Sequence, residues 1–152
     1  MSSPTPTAIA ARERRASLRF GWTALFAWAL AGVGLETAHG FKWAPYLDDP
    51  LTRLLLTLAH AHGVGLALVV LAHAAVGAPL HPERRAPGHL LRAAAAFLPL
   101  GFALGAIAHP EGDPSLGILL VPLGALALLG ALAQLAARAW RLPTRESGPD
   151  AP

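Results

Sequence analysis

Four apolar runs, near 20–39, 51–76, 89–108 and 115–140, organise this chain, and turn-forming or charged stretches separate them. A helix rising 1.5 Å per residue needs about 20 residues to cross a hydrocarbon layer of about 30 Å. Each run meets that length. The predicted fold class is therefore all-α: an integral membrane, antiparallel four-helix bundle with short connections, occupying 20–140 as one domain.

The boundaries carry their own signals. Asp49-Pro50 and Asp113-Pro114 place a capping carboxylate before a proline suited to a first helical turn. Between the second and third runs, 77–88 holds Pro79, Pro82 and Pro87 around Glu83, Arg84 and Arg85, a breaker-rich turn. Residues 1–19 are Ser, Thr, Pro and Arg rich without an apolar period and read as a disordered basic tail; 141–152 reads as a second disordered tail. The first run is too long for a signal-peptide core and contains Glu36, so it reads as an uncleaved anchor. A weak repeat accompanies this plan, with His39 and His109 closing the outgoing runs and Asp-Pro opening both return runs. It is too short to establish duplication.

Composition strengthens the membrane reading, because 54% of the 152 residues are hydrophobic and 14% are charged, against about 25% charged in a soluble domain. Cysteine is absent, which excludes disulfides and thiolate chemistry. Eleven of the twelve basic residues are Arg, pointing to a GC-rich, bacterial source and hence to the bacterial cytoplasmic (inner) membrane. The net charge of +3 has a topological origin. Arg12, Arg14, Arg15, Arg19, Arg84, Arg85, Arg92, Arg138, Arg141 and Arg145 fall on one side of the four-run plan, and only Lys42 and Arg53 on the other. Basic residues near helix ends are retained in the cytoplasm, so both termini are expected inside. Asp48, Asp49, Glu111 and Asp113 make the outer loops acidic. The expected partners are the lipid bilayer and a second copy or a larger membrane complex, not nucleic acid.

Candidate chemistry lies in ionisable groups within or beside the runs, where burial is expensive unless the group is paired or neutral. These are Glu36, His39, His60, His62, His73 and His109. All but His73 belong to the outer half. Glu36 and His39, three apart, share a helix face. His60 and His62, two apart, diverge by about 160°, so one is expected to face the bundle axis and the other a neighbouring helix or subunit. Neutral imidazoles with a carboxylate suit a transition metal, and paired His can hold haem iron. Glu36, His39, His60, His62 and His109 are the candidate metal ligands, with His60 and His62 the candidates for haem b. A di-iron bundle needs Glu-x-x-His twice, and Glu36/His39 supplies it once.

Three readings stay open: a metal- or haem-binding membrane protein without enzymatic activity, a proton- or ion-coupled transport subunit, and an accessory subunit whose histidines only join helices. Gly32, Gly34, Gly63, Gly65, Gly101 and Gly105 serve either a macrocycle or close helix packing. Trp22, Trp43, Tyr46 and Trp140 read as interfacial anchors and the deeper Trp28 as packing. The intramembrane Thr23, Thr37, Thr52 and Thr57 read as helix–helix donors, and no nucleophile–base pair stands out.

Overall fold

The computed structural model describes residues 5–77, 86–110 and 112–141, and every regular element among them is helical. α1 runs over Pro6–Gly40. Thr5 caps it, its Oγ1 accepting the Ala8 N–H at 3.3 Å, and Pro6 fits the first turn. A positive φ of 51° at Lys42 turns the chain into the short α2, Ala44–Leu47. Asp49 then caps α3, Pro50–Ala72, by accepting from the N–H groups of Leu51 and Thr52 at 3.0 and 3.2 Å. A π-helical turn, His73–Gly77, prolongs α3. α4 spans Ala86–Gly105, and a 3₁₀ turn at Leu116–Leu119 leads into α5, Leu120–Ala139.

Four helical stretches are long and apolar enough to cross a membrane: Thr7–Gly40, Pro50–Val76, Pro87–Gly105 and Leu116–Ala139. Close approaches fix their directions. Gly21 lies against Leu71 and Gly32 against His60, so α1 and α3 are antiparallel. Thr52 reaches Ala106 while His62 stacks on Phe102, so α3 and α4 are antiparallel as well. Gly105 meets Ile118 and Gly124 meets Leu98, which sets α4 against α5 in the same sense. Each long helix thus packs chiefly on its neighbour in chain order.

Leu66, Val70, Leu91, Ala95, Leu98 and Ala131 form the core where α3, α4 and α5 meet. Only 11% of the apolar window of α1, and of the fourth stretch, is buried within the chain. Large apolar side chains such as Phe26 (71% exposed) and Leu126 (67%) therefore face outward and need an apolar surrounding to avoid the cost of hydration.

The structure departs from the sequence expectations at several boundaries. α1 begins at Pro6, well before residue 20, because Glu13 and Ser17 are buried against α4 instead of lying in a tail. The third stretch begins at Ala86 and ends at Gly105, since Pro87 occupies a first turn, where its missing N–H costs no bond. Pro122 likewise falls in the first turn of α5. Thr37 and Thr57 do not donate across helices: their Oγ1 atoms donate to Val33 and Arg53 carbonyls of their own helices at 2.7 and 2.8 Å. Tyr46 is buried, not an exposed anchor. Most of the turn read at 77–88, Glu111 and the tail after Arg141 lie outside the described residues.

Candidate functional site

Two ends of the molecule differ in charge: one carries Asp48, Asp49 and Asp113, the other Arg12 to Arg19 and Arg92. At the acidic end a groove of about 590 Å³ opens between α1 and α3. Its lining is graded along the helices. Glu36, His39, Tyr46, Thr57 and His60, with the apolar Leu35 among them, line its part near the acidic end, and Leu25, Ala29 and Val64 its deeper part. Three of the five predicted ligands therefore share one cavity. Glu36 and His39 are exposed on α1, and His60 is half-buried on α3.

His60 is held by an interlock that sequence spacing does not reveal. Its Nδ1 lies 2.8 Å from the Trp28 carbonyl oxygen, and a carbonyl can only accept, so Nδ1 carries the proton. Nε2 has no protein partner among the described residues. A Cβ at Gly32 would collide with the His60 ring, and a Cβ at Gly63 with the Trp28 indole. Each helix thus inserts a ring into the glycine notch of the other. The space at Gly32 and Gly63 is filled by this chain's own side chains, leaving no room there for a macrocycle. Gly101 and Gly105 are also contact points, against Val121 and Ile118, whereas Gly34 and Gly65 face open space.

His62 turns away from the groove, as a spacing of two implies. Its Nδ1–H donates to the Leu58 carbonyl at 2.8 Å, and its ring stacks on Phe102 at 5.1 Å and 38° between α3 and α4. His109 also lies elsewhere, beyond the end of α4. There Nδ1 donates to the Pro110 carbonyl at 2.9 Å while Nε2 lies 2.7 Å from Asp49 Oδ2. Both ring nitrogens face acceptors, so the arrangement calls for an imidazolium beside a carboxylate. The Pro110 carbonyl first, then Asp49, raises the His109 pKa, and the Thr52 hydroxyl, donating at 2.8 Å, leads the groups that lower that of Asp49. Asp49 thereby joins the cap of α3 to the end of α4. Among the described residues no three His, Asp or Glu side chains are grouped to hold a metal ion, so the five-residue ligand set does not close on one centre.

Sequence reasoning missed a second polar cluster, at the basic end. Arg92 Nη1 donates to Glu13 Oε1 at 2.7 Å and to the fully buried Ser17 Oγ at 2.6 Å, tying α1 to α4. Its Nη2 donates to His89 Nδ1 at 3.0 Å, which puts the His89 proton on Nε2, 3.8 Å from Glu13 Oε2. The Glu13 carboxylate also lies against Gly88 in the first turn of α4, where the helix dipole favours negative charge. The available signal was the pair Glu13 and Ser17, four apart and so on one helix face. Compared with known proteins, the chain matches no family model, no curated sequence and no solved structure.

Proposed function

We propose that this chain is a four-span protein of a bacterial cytoplasmic membrane, with both termini inside, that binds an amphipathic organic ligand in the outer-leaflet groove between α1 and α3. The carrying observation is the graded lining: Glu36, His39, Tyr46, Thr57 and His60 at the acidic end, Leu25, Ala29 and Val64 deeper. A molecule with a polar end and an apolar body matches that gradient with the polar end near the outer headgroups. A cavity of about 590 Å³ falls within the roughly 300–1,000 Å³ usual for such ligands. The distribution of basic residues supports the orientation.

A bare transition metal fits less well, because the histidines and carboxylates are not grouped around one point. Haem b fits less well too, because the His60 ring, fixed by the Trp28 carbonyl, fills the Gly32 notch and leaves no room there for a macrocycle.

The test is purification of the full chain in mild detergent, followed by an absorption spectrum and mass spectrometry of a stoichiometric organic ligand. Ala29→Trp, which fills the deep part of the groove, and Glu36→Gln, which alters its polar part, should each reduce occupancy. A stoichiometric Soret band would overturn the exclusion of haem. Wild-type and Ala29→Trp protein carrying the same profile of bound molecules would sink the ligand reading, and a periplasmic reporter signal from the C-terminus would sink the orientation.

A further inference from the structure

The cluster at the basic end borders a cleft of about 260 Å³ between the start of α1 and the first turns of α4, lined by Ile9, Arg12, Glu13, Ala16, His89 and Arg92. We infer that this cleft holds the phosphate of an anionic phospholipid headgroup from the cytoplasmic leaflet. The inference rests on the membrane orientation proposed above.

Charge is the first argument. The carboxylate in the cleft is already matched by Arg92 at 2.7 Å, so among the described residues Arg12 is left as an exposed cation on the rim without a carboxylate of its own. Arg12, Arg15 and Arg19 lie within about 60° of one another around α1, and all three are exposed. Of these, Arg12 lines the cleft with Arg92 beside the neutralised carboxylate, while Arg15 and Arg19 extend the basic row along α1 outside it. His89, with a side chain 62% exposed, contributes the Nε2–H that Arg92 forces on it by occupying Nδ1. An oxyanion is the ligand these donors fit.

Position selects the lipid over a soluble phosphate. Counting from Phe20, where the apolar run starts, Arg19, Arg15 and Arg12 stand about 2, 8 and 12 Å outside it. That interval covers a headgroup layer of about 5–8 Å and the water just beyond, and arginine stems reach back toward the hydrocarbon. Ile9 and Ala16 add apolar surface to the cleft. Retention of positive charge during insertion needs no such geometry. Here the Glu13–Arg92–Ser17 tie holds α1 helical past the apolar run and presents the arginines as an ordered row.

Native mass spectrometry of the purified full chain, titrated with phosphatidylglycerol or phosphatidylcholine, tests this. The one cleft arginine not matched by Glu13, Arg12, at about fivefold predicts about a fivefold preference for phosphatidylglycerol. Arg12→Gln should weaken its binding about fivefold, while Arg53→Gln, at the opposite end, should leave it unchanged. Excess inorganic phosphate should not displace the lipid; full displacement would assign the site to free phosphate and overturn the lipid. Equal affinity for the two lipids, or an unaffected Arg12→Gln, would also overturn it while leaving membrane insertion standing. A chain that stays soluble without detergent and washes off membranes in carbonate would defeat this inference and the membrane reading together.

Discussion

Replacing Arg92 by Met keeps most of the aliphatic stem and removes every charged hydrogen bond of the basic-end cluster. In the native protein Arg92 donates twice to Glu13, at 2.7 and 3.4 Å, once to Ser17 and once to His89. The side chains of Arg92 and Glu13 are only 15% and 10% exposed. Arg92→Met therefore strands a nearly buried carboxylate and a buried hydroxyl, and breaking a buried pair from one side costs about 3–5 kcal/mol. The cleft is open to water on one side, so the lower value applies: about 3 kcal/mol, or about 6–12 °C in Tm. Glu13→Met should cost less, because the longer arginine can reach water. The double variant Glu13→Met/Arg92→Met should recover at least about 2 kcal/mol relative to Arg92→Met, since the site then holds two apolar side chains and no orphan charge. Equilibrium unfolding in mixed micelles gives these values. An Arg92→Met protein within about 1 kcal/mol of wild type, or strictly additive single costs, would refute a buried tie between α1 and α4.

Two further predictions concern the opposite end and the interlock. His109 has a raised pKa when folded, so its contribution is complete below the ordinary value of 6.5 and lost as pH rises through the raised one. Asp49, with a lowered pKa, contributes above 3.8 and loses its share as pH falls through its lowered value. The stability gap between wild type and His109→Asn should accordingly be widest in mildly acidic solution and shrink toward alkaline pH; a gap independent of pH would contradict the ion pair. Gly63→Leu should cost about 1–3 kcal/mol, because the new side chain enters the space of the Trp28 ring, and Trp28→Ala should restore part of that loss. Unchanged stability and tryptophan fluorescence in Gly63→Leu would show that the indole lies elsewhere.

The four long helices were legible because hydrophobic length is a one-dimensional property: runs of 20 residues and more announce themselves without knowledge of neighbours. Their ends were less legible where charge disguised burial. Arg12, Arg14, Arg15 and Arg19 made the start of α1 look like a tail, although the Thr5-Pro6 cap was present and Glu13 and Ser17 share a face that only the position of Arg92 makes meaningful. The same limit applied to the site. Depth along the helices placed Glu36, His39 and His60 in the same half of the bundle, and the structure brings these three to one groove. Depth alone also grouped His62 and His109 with them, but rotation about α3 sends His62 to Phe102, and the end of α4 at Gly105 releases His109 to Asp49. The divergence of His60 and His62 follows from their spacing of two, whereas which of them meets the groove and where α4 ends depend on partners distant in sequence.

The polar ties also explain why the groove lies where it does. At the basic end α1 is fastened to α4 through Arg92, and at the acidic end α3 is fastened to the segment after α4 through Asp49, Thr52 and His109. Both ties run to α4 or its extension. Between α1 and α3 themselves the close contacts are Gly21 with Leu71, Gly63 with Trp28 and Gly32 with His60. Beyond Gly32, toward the acidic end, α1 continues for eight more residues to Gly40, with Glu36 and His39 exposed and α2 beneath them. The last two turns of α1, where Glu36 and His39 are exposed, form one wall of the groove. A ligand seated there would bridge Glu36 and His39 on one wall to Thr57 and His60 on the other, replacing water at the exposed Glu36 and His39. Binding would then stabilise the acidic-end part of α1 preferentially, so hydrogen exchange at 33–40 should slow on ligand addition while exchange at 91–98, in the core, stays as it was.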